Sequence, residues 1–162
     1  MTLPFKVSRT GHQVVEAWFR ESRMKLVIDS AAGANVIDIE SAARLGIKTI
    51  GERKHTRGLG TSSHKTVSLK SFTVLMGDIT VSLKAIGLDL NHVKSAGGKG
   101  GLDGLIGAPF LIAHEAILDF NSKTLTFNSH PLPKKSAAGK SPTLGSKAAA
   151  VKKAAKKAAK KK

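Results

Sequence analysis

Residues 26–34 read Leu26-Val27-Ile28-Asp29-Ser30-Ala31-Ala32-Gly33-Ala34: three apolar residues, one carboxylate, then five positions holding nothing larger than serine. A short apolar run with β-branched members ends a strand where polar and small residues begin. Asp29 therefore reads as a lone acid at a strand end, followed by small residues.

Upstream, Phe5 and Val7, then Val14, Val15, Ala17 and Phe19, are separated by turn-like Arg9-Thr10-Gly11-His12 and Glu21-Ser22-Arg23. This predicts two or three short antiparallel strands leading into Asp29. Downstream, Asp38-Ile39-Glu40-Ser41-Ala42-Ala43-Arg44-Leu45-Gly46 has an acidic start, a basic last turn and a glycine stop. These signals predict a helix of about two turns following the small-residue loop.

Strand patterning returns from Lys48 to Ala85, with a hairpin tip over Arg57 to Ser63 and a second turn at Met76-Gly77-Asp78. Residues 91–102, NHVKSAGGKGGL, read as a flexible glycine-rich loop. After it come Asp103-Gly104-Leu105-Ile106-Gly107, a short helix from Pro109 to His114, and two closing strands, AILDF and TLTF, joined at Asn121-Ser122-Lys123. Proline is tolerated in a first helical turn. The expectation is a mainly β chain with two brief helices, arranged as a small barrel or sandwich.

The ordered set resembles retropepsin-like aspartic proteases. Asp29-Ser30-Ala31-Ala32, the apolar pair Val36-Ile37 and a helix ending Arg44-Leu45-Gly46-Ile47 match the active-site loop and its sequel. Gly58 and Gly60 fall where that family has its flap, and Asp103 to Gly107 where it has an apolar-apolar-glycine segment beside the loop. The resemblance covers residues 4–128 and implies a small closed barrel of the acid protease type with one or two short helices.

It further implies Asp29 as the catalytic carboxylate, Ser30, Ala31 and Ala32 as the active-site loop, and Gly58, Leu59, Gly60 and Thr61 as flap residues over substrate. Asp103, Gly104, Leu105, Ile106 and Gly107 become the loop's support. Two carboxylates about 3 Å apart cannot both ionise, so one serves as base to a water and the other as acid to the substrate carbonyl. Asp89, Asp103 and Asp119 lack the matching context. A working pair therefore needs Asp29 from each of two chains, a homodimer acting on an extended peptide without cofactor or metal.

The family's glycine after Asp-Ser is Ala31 here. A positive φ at that position would cost alanine about 1–2 kcal/mol, and a negative φ would leave only steric crowding.

Charge divides the chain. Residues 1–130 carry all 11 acidic side chains against 16 Lys and Arg, whereas residues 131–162 hold 11 Lys and no acid. The tail has almost no large apolar side chains, so a protease-like domain over 1–130 and a disordered basic tail over 131–162 are expected. Lysines spaced by alanines can neutralise phosphates non-specifically, without aromatic or arginine groups to read bases. A second reading is thus a catalytically weak or inactive module whose tail contacts nucleic acid.

Other chemistries find little support. The absence of cysteine excludes disulfides, thiolate zinc and a thiol nucleophile. The six histidines are scattered and read as surface or loop residues. Gly139-Lys140-Ser141 lacks the earlier glycine of a phosphate loop, and Ser62-Ser63 lacks nucleophile-elbow glycines. Charges interrupt the first 19 residues and no run is long enough to span a membrane, so a soluble cytoplasmic protein is expected.

Overall fold

The computed structural model describes residues 1–51, 54–57 and 63–130, with 54–57 and 63–65 described by backbone alone. The expected flap residues Gly58, Leu59, Gly60 and Thr61, and the basic tail, lie outside the described residues.

In chain order the elements are β1 (Thr2–Pro4), β2 (Lys6–Val7), β3 (Gln13–Phe19), β4 (Ser22–Asp29), β5 (Asn35–Asp38), α1 (Ile39–Leu45), β6 (Lys54–Arg57) and β7 (Ser63–Ser68). Next come β8 (Phe72–Met76), β9 (Ile79–Leu83), β10 (Ala85–Leu88), a 3-10 helix (Asn91–Gly97), β11 (Gly104–Gly107), α2 (Ala108–Ala113), β12 (Ile117–Asp119) and β13 (Thr124–Thr126). This is the mainly β architecture with short helices that the sequence implies. No helix among the described residues is long and apolar enough to cross a membrane.

The large sheet runs β6-β7-β10-β5-β11-β4-β3-β8-β9, with β2 also paired to β3, and a three-stranded sheet runs β1-β13-β12. Most neighbours are antiparallel; β4 with β11 and β5 with β10 are parallel. β11 therefore lies between the two strands that flank the small-residue loop, parallel to one and antiparallel to the other.

The run Leu26-Val27-Ile28 is continuous because β4 is covered on both faces. Leu26 and Ile28 join the main core with Ile37, Ile106, Phe110 and Phe127. Val27 faces a second cluster containing Val14, Val36, Leu90 and Leu102. Burying a side chain of this size is worth about 1.5–3 kcal/mol, so the strand ending in Asp29 is firmly anchored.

Three expectations need correction. The helix α1 does not follow the small-residue loop directly, because the fully buried strand β5 intervenes. Residues 91–102 are not a flexible loop: Asn91–Gly97 form the 3-10 helix, and Leu90, Ala96 and Leu102 seal the second core. Gly97 is there for close approach, since a Cβ would stand 2.6 Å from the Leu102 backbone nitrogen. Nor is His114 a surface residue, for it is buried, stacked on Phe110, and bonded through Nδ1 to the Asn128 carbonyl.

The remaining turns obey local chemistry. Arg57 pairs with Ser63, so β6 and β7 form the expected hairpin around the undescribed tip. Gly77, at φ 64°, turns β8 into β9. Pro109 occupies the first turn of α2, where it displaces no helical hydrogen bond.

Candidate active site

Asp29 is the last residue of β4 and is half-buried. Its Oδ1 accepts the Ala31 N–H at 3.0 Å, and its carbonyl accepts the Ala32 N–H at 3.1 Å. These two bonds fold the chain back immediately after the acid. Among the described residues no Lys, Arg or His pairs with the carboxylate, and its second oxygen is left open.

Ala31 is exposed, and it is not among the residues with positive φ. The backbone strain that alanine would suffer in a left-handed conformation is therefore absent, and crowding is the sole cost left to consider. Ser30 is also exposed, and its hydroxyl has no hydrogen-bond partner among the described residues. It is the Asp29 carboxylate, rather than this hydroxyl, that ties the loop within the single chain.

β11 braces the loop from beside. Gly107 lies opposite Asp29 in the parallel pairing, and Ala108 N–H reaches the Ala32 carbonyl at 2.9 Å. A Cβ on Gly107 would stand 2.3 Å from the Ala34 carbonyl oxygen, and one on Gly104 would stand 2.3 Å from that of Val36. Both glycines are demanded by backbone contact, which rotation of a side chain cannot relieve. Leu105 is half-buried against the second core, and Ile106 is wholly buried in the first.

Asp103 does something different from its neighbours in sequence. It stands before β11, at the end remote from Gly107, and its carboxylate accepts the Lys25 N–H at 2.8 Å, the Ser41 hydroxyl at 2.8 Å and the Arg44 guanidinium. It joins α1 to β4 and does not touch the Asp29 loop.

Two further residues complete the support. Asp38 is 1% exposed; its Oδ2 accepts the Ser41 N–H at 3.2 Å and caps α1, while Oδ1 accepts the Leu90 N–H at 3.0 Å. Lys94 lies 3.8 Å from it and also pairs with Glu40. The Lys94 ammonium, through hydrogen bond and charge, holds the exposed Glu40 carboxyl below its ordinary range, and Glu40 in turn raises Lys94. Asn35, which the sequence did not single out, is buried and bonds on both sides, to Lys84 and Gly107.

Beside Ser30 and Ile28 opens a groove of about 470 Å³, walled by Leu111, Ile112, Leu118 and Phe120. Ile112, Ile117 and Phe120 are 74%, 64% and 61% exposed, an apolar concentration unusual for a small isolated domain. No group of three or more acids or histidines is gathered for a metal among the described residues.

The sequence matches an aspartyl protease family over residues 15–110. The fold is similar to the retroviral protease-like domain of Ddi1 from Leishmania major, at TM-score 0.55 and 17% identity, covering 81% of this chain and 99% of that one. A retropepsin-like aspartic protease from Rickettsia conorii is similar at TM-score 0.48 and 22% identity, covering 81% and 92%. None of the curated proteins matches the sequence.

Proposed function

The chain belongs to the aspartyl protease family, and from that premise we propose that it is an endopeptidase in which Asp29 residues from two chains share one active site. The observation that carries the reading is the state of Asp29: a carboxylate at a strand end, among small residues, with no cation beside it and one oxygen unused among the described residues. Asp38 and Asp103, which tie α1 to the sheet, have both oxygens engaged.

Two such carboxylates facing each other hold a proton between them, because repulsion opposes the second ionisation. The ionised member takes a proton from water as its oxygen attacks the peptide carbonyl, and the protonated member gives its proton to the carbonyl oxygen. Collapse of the tetrahedral species breaks the C–N bond: the nitrogen takes the proton that came from water, and one hydroxyl returns its proton to the carboxylate that gave it, which re-forms the C=O and the one-proton pair. Substrate lies extended beneath the β6–β7 hairpins, with Gly58, Leu59, Gly60 and Thr61 as its contacts.

The homodimer draws support from the apolar surface next to Ser30. Ile112, Ile117 and Phe120 are exposed in the isolated chain, and the groove lined by Ile112 and Phe120 also takes in Ser30 of the loop that must meet its copy. A twofold interface of this kind is self-complementary and closes after two chains.

The test uses an unstructured protein such as denatured casein at acidic pH. The wild-type chain should cleave it with specific activity that rises with protein concentration, and Asp29→Asn should abolish cleavage at unchanged melting temperature. Cleavage by Asp29→Asn at the wild-type rate would refute the reading. Phe120→Asp should give a folded monomer without activity.

A further inference from the structure

Asn35 opens β5, is 6% exposed, and has both ends of its amide committed to backbone. Its Oδ1 accepts the Gly107 N–H at 2.9 Å, and its Nδ2 donates to the Lys84 carbonyl at 3.0 Å. One contact needs an acceptor and the other a donor, so the orientation of the amide is fixed by its neighbours.

Both contacts fall at critical places. Gly107 is the residue opposite Asp29, and a Cβ there would strike the carbonyls of Ala34 and Ala32, so the two backbones approach closely at this junction. Lys84 lies between β9 and β10, the latter running parallel to β5. Asn35 thus ties the far end of the active-site loop to β11 beside the catalytic carboxylate and to the next strand.

We propose that Asn35 is a positioning residue for Asp29: its amide sets the distance between the 29–34 loop and Gly107, and through it the height at which the carboxylate faces its partner. The inference rests on the protease reading above. Asn35 touches neither substrate nor the reacting atoms; it acts through Gly107 and the loop. Displacements of about 1 Å at supporting residues are enough to cost roughly 100-fold in rate.

The test compares Asn35→Ala and Asn35→Asp in the full chain. The alanine variant should lose roughly 10- to 100-fold in kcat with KM within about twofold, beyond any loss from unfolding at the assay temperature. The aspartate variant keeps the shape. Protonated, its carboxyl donates to the Lys84 carbonyl and accepts from the Gly107 N–H; ionised, it repels the Lys84 carbonyl.

Activity of Asn35→Asp should therefore approach wild type at the acid end of the profile and fall earlier than wild type as pH rises. The charged groups nearby are Lys84, which lines the same groove as Asn35 and whose backbone carbonyl it meets, and Asp29 across Gly107. Lys84→Gln in the same background separates that cation from the effect. A profile for Asn35→Asp superimposable on wild type, or a loss in Asn35→Ala explained by unfolded protein alone, would overturn the proposal. Should Asn35→Ala not fold, Asn35→Asp carries the test.

Hydrogen exchange at the Gly107 amide keeps the two readings apart. If wild type cleaves nothing, the protease reading fails by itself. Asn35→Ala should still speed Gly107 exchange and shift the Ala31 amide resonance, and unchanged values for both would defeat the positioning role independently.

Discussion

The same tripeptide ends two strands on either side of β11: Val27-Ile28-Asp29 closes β4 and Val36-Ile37-Asp38 closes β5. The two aspartates nevertheless live in opposite conditions. Asp38 is sealed, accepts two backbone N–H groups, and stands near an ammonium. Asp29 is half-buried, accepts one N–H, and has no cation among the described residues. The residues after each acid make the difference. Ile39-Glu40-Ser41 starts a helix whose third amide turns back to Asp38, whereas Ser30-Ala31-Ala32 gives a bare turn and small side chains. Both oxygens of Asp38 are engaged in holding structure together, whereas Asp29 keeps one unused, as the proposed protease reading requires.

The sharpest way to break this contrast is to neutralise each acid in turn. Asp29→Asn should reduce peptide cleavage by at least about a thousandfold. Its stability by urea denaturation should remain within about 0.5 kcal/mol of wild type, since the amide oxygen can still accept the Ala31 N–H. If Asp29→Asn unfolds the chain, the division between structural and reactive acid is wrong.

Asp38→Ala should do the reverse. It orphans the Leu90 and Ser41 amides in a sealed site and removes the cap of α1, for a loss of about 2–4 kcal/mol. Activity per folded molecule should change far less than in Asp29→Asn. A midpoint unchanged in urea would show that Asp38 is not the tie between α1 and the end of β10 that its bonds describe.

Much of this was legible in the residues themselves. Asp29 stood out because the side chains after it are small, α1 because its cap, basic last turn and Gly46 are all local, and the β8–β9 turn because Gly77 takes a positive φ. The features that escaped depend on distant partners. Asn35 lies 72 residues from Gly107 and 49 from Lys84, and nothing beside it in sequence hints at either. β5 was hidden because a four-residue strand makes sense only once β10 and β11 cover its edges. The 3-10 helix was concealed by its glycines, whose composition suggested freedom although Ala96 and Leu102 are core residues.

Ala31→Gly sharpens the comparison at the reactive end. Because Ala31 already has an ordinary φ, glycine relieves no strain and adds freedom to the unfolded chain. Stability should fall by about 0.4–1 kcal/mol, and turnover should stay close to that of wild type. A tenfold rise in turnover would instead identify the methyl group as an obstacle between the two loops.

The smallest effect separates the acids by their surroundings. Glu40 and Lys94 form an exposed pair on the Asp38 side, and nothing equivalent stands by Asp29 among the described residues. Glu40 is held below its ordinary value of 4.5, chiefly by the Lys94 hydrogen bond, so its contribution is present above that value and is lost as pH falls through the lowered one. Lys94 is raised above 10.5, chiefly by Glu40, so its contribution is present below 10.5 and is lost as pH rises through the raised value. The pair therefore stabilises across the intervening range, weakly, because both groups face water and salt screens them. Glu40→Gln should flatten the acid limb of the stability curve below about pH 4.5, most visibly at low ionic strength, while Asp29→Asn leaves the Glu40–Lys94 part of that limb in place. Equal flattening by both variants would mean that the two strand ends share one electrostatic environment, and the distinction between Asp29 and Asp38 would lose its basis in charge.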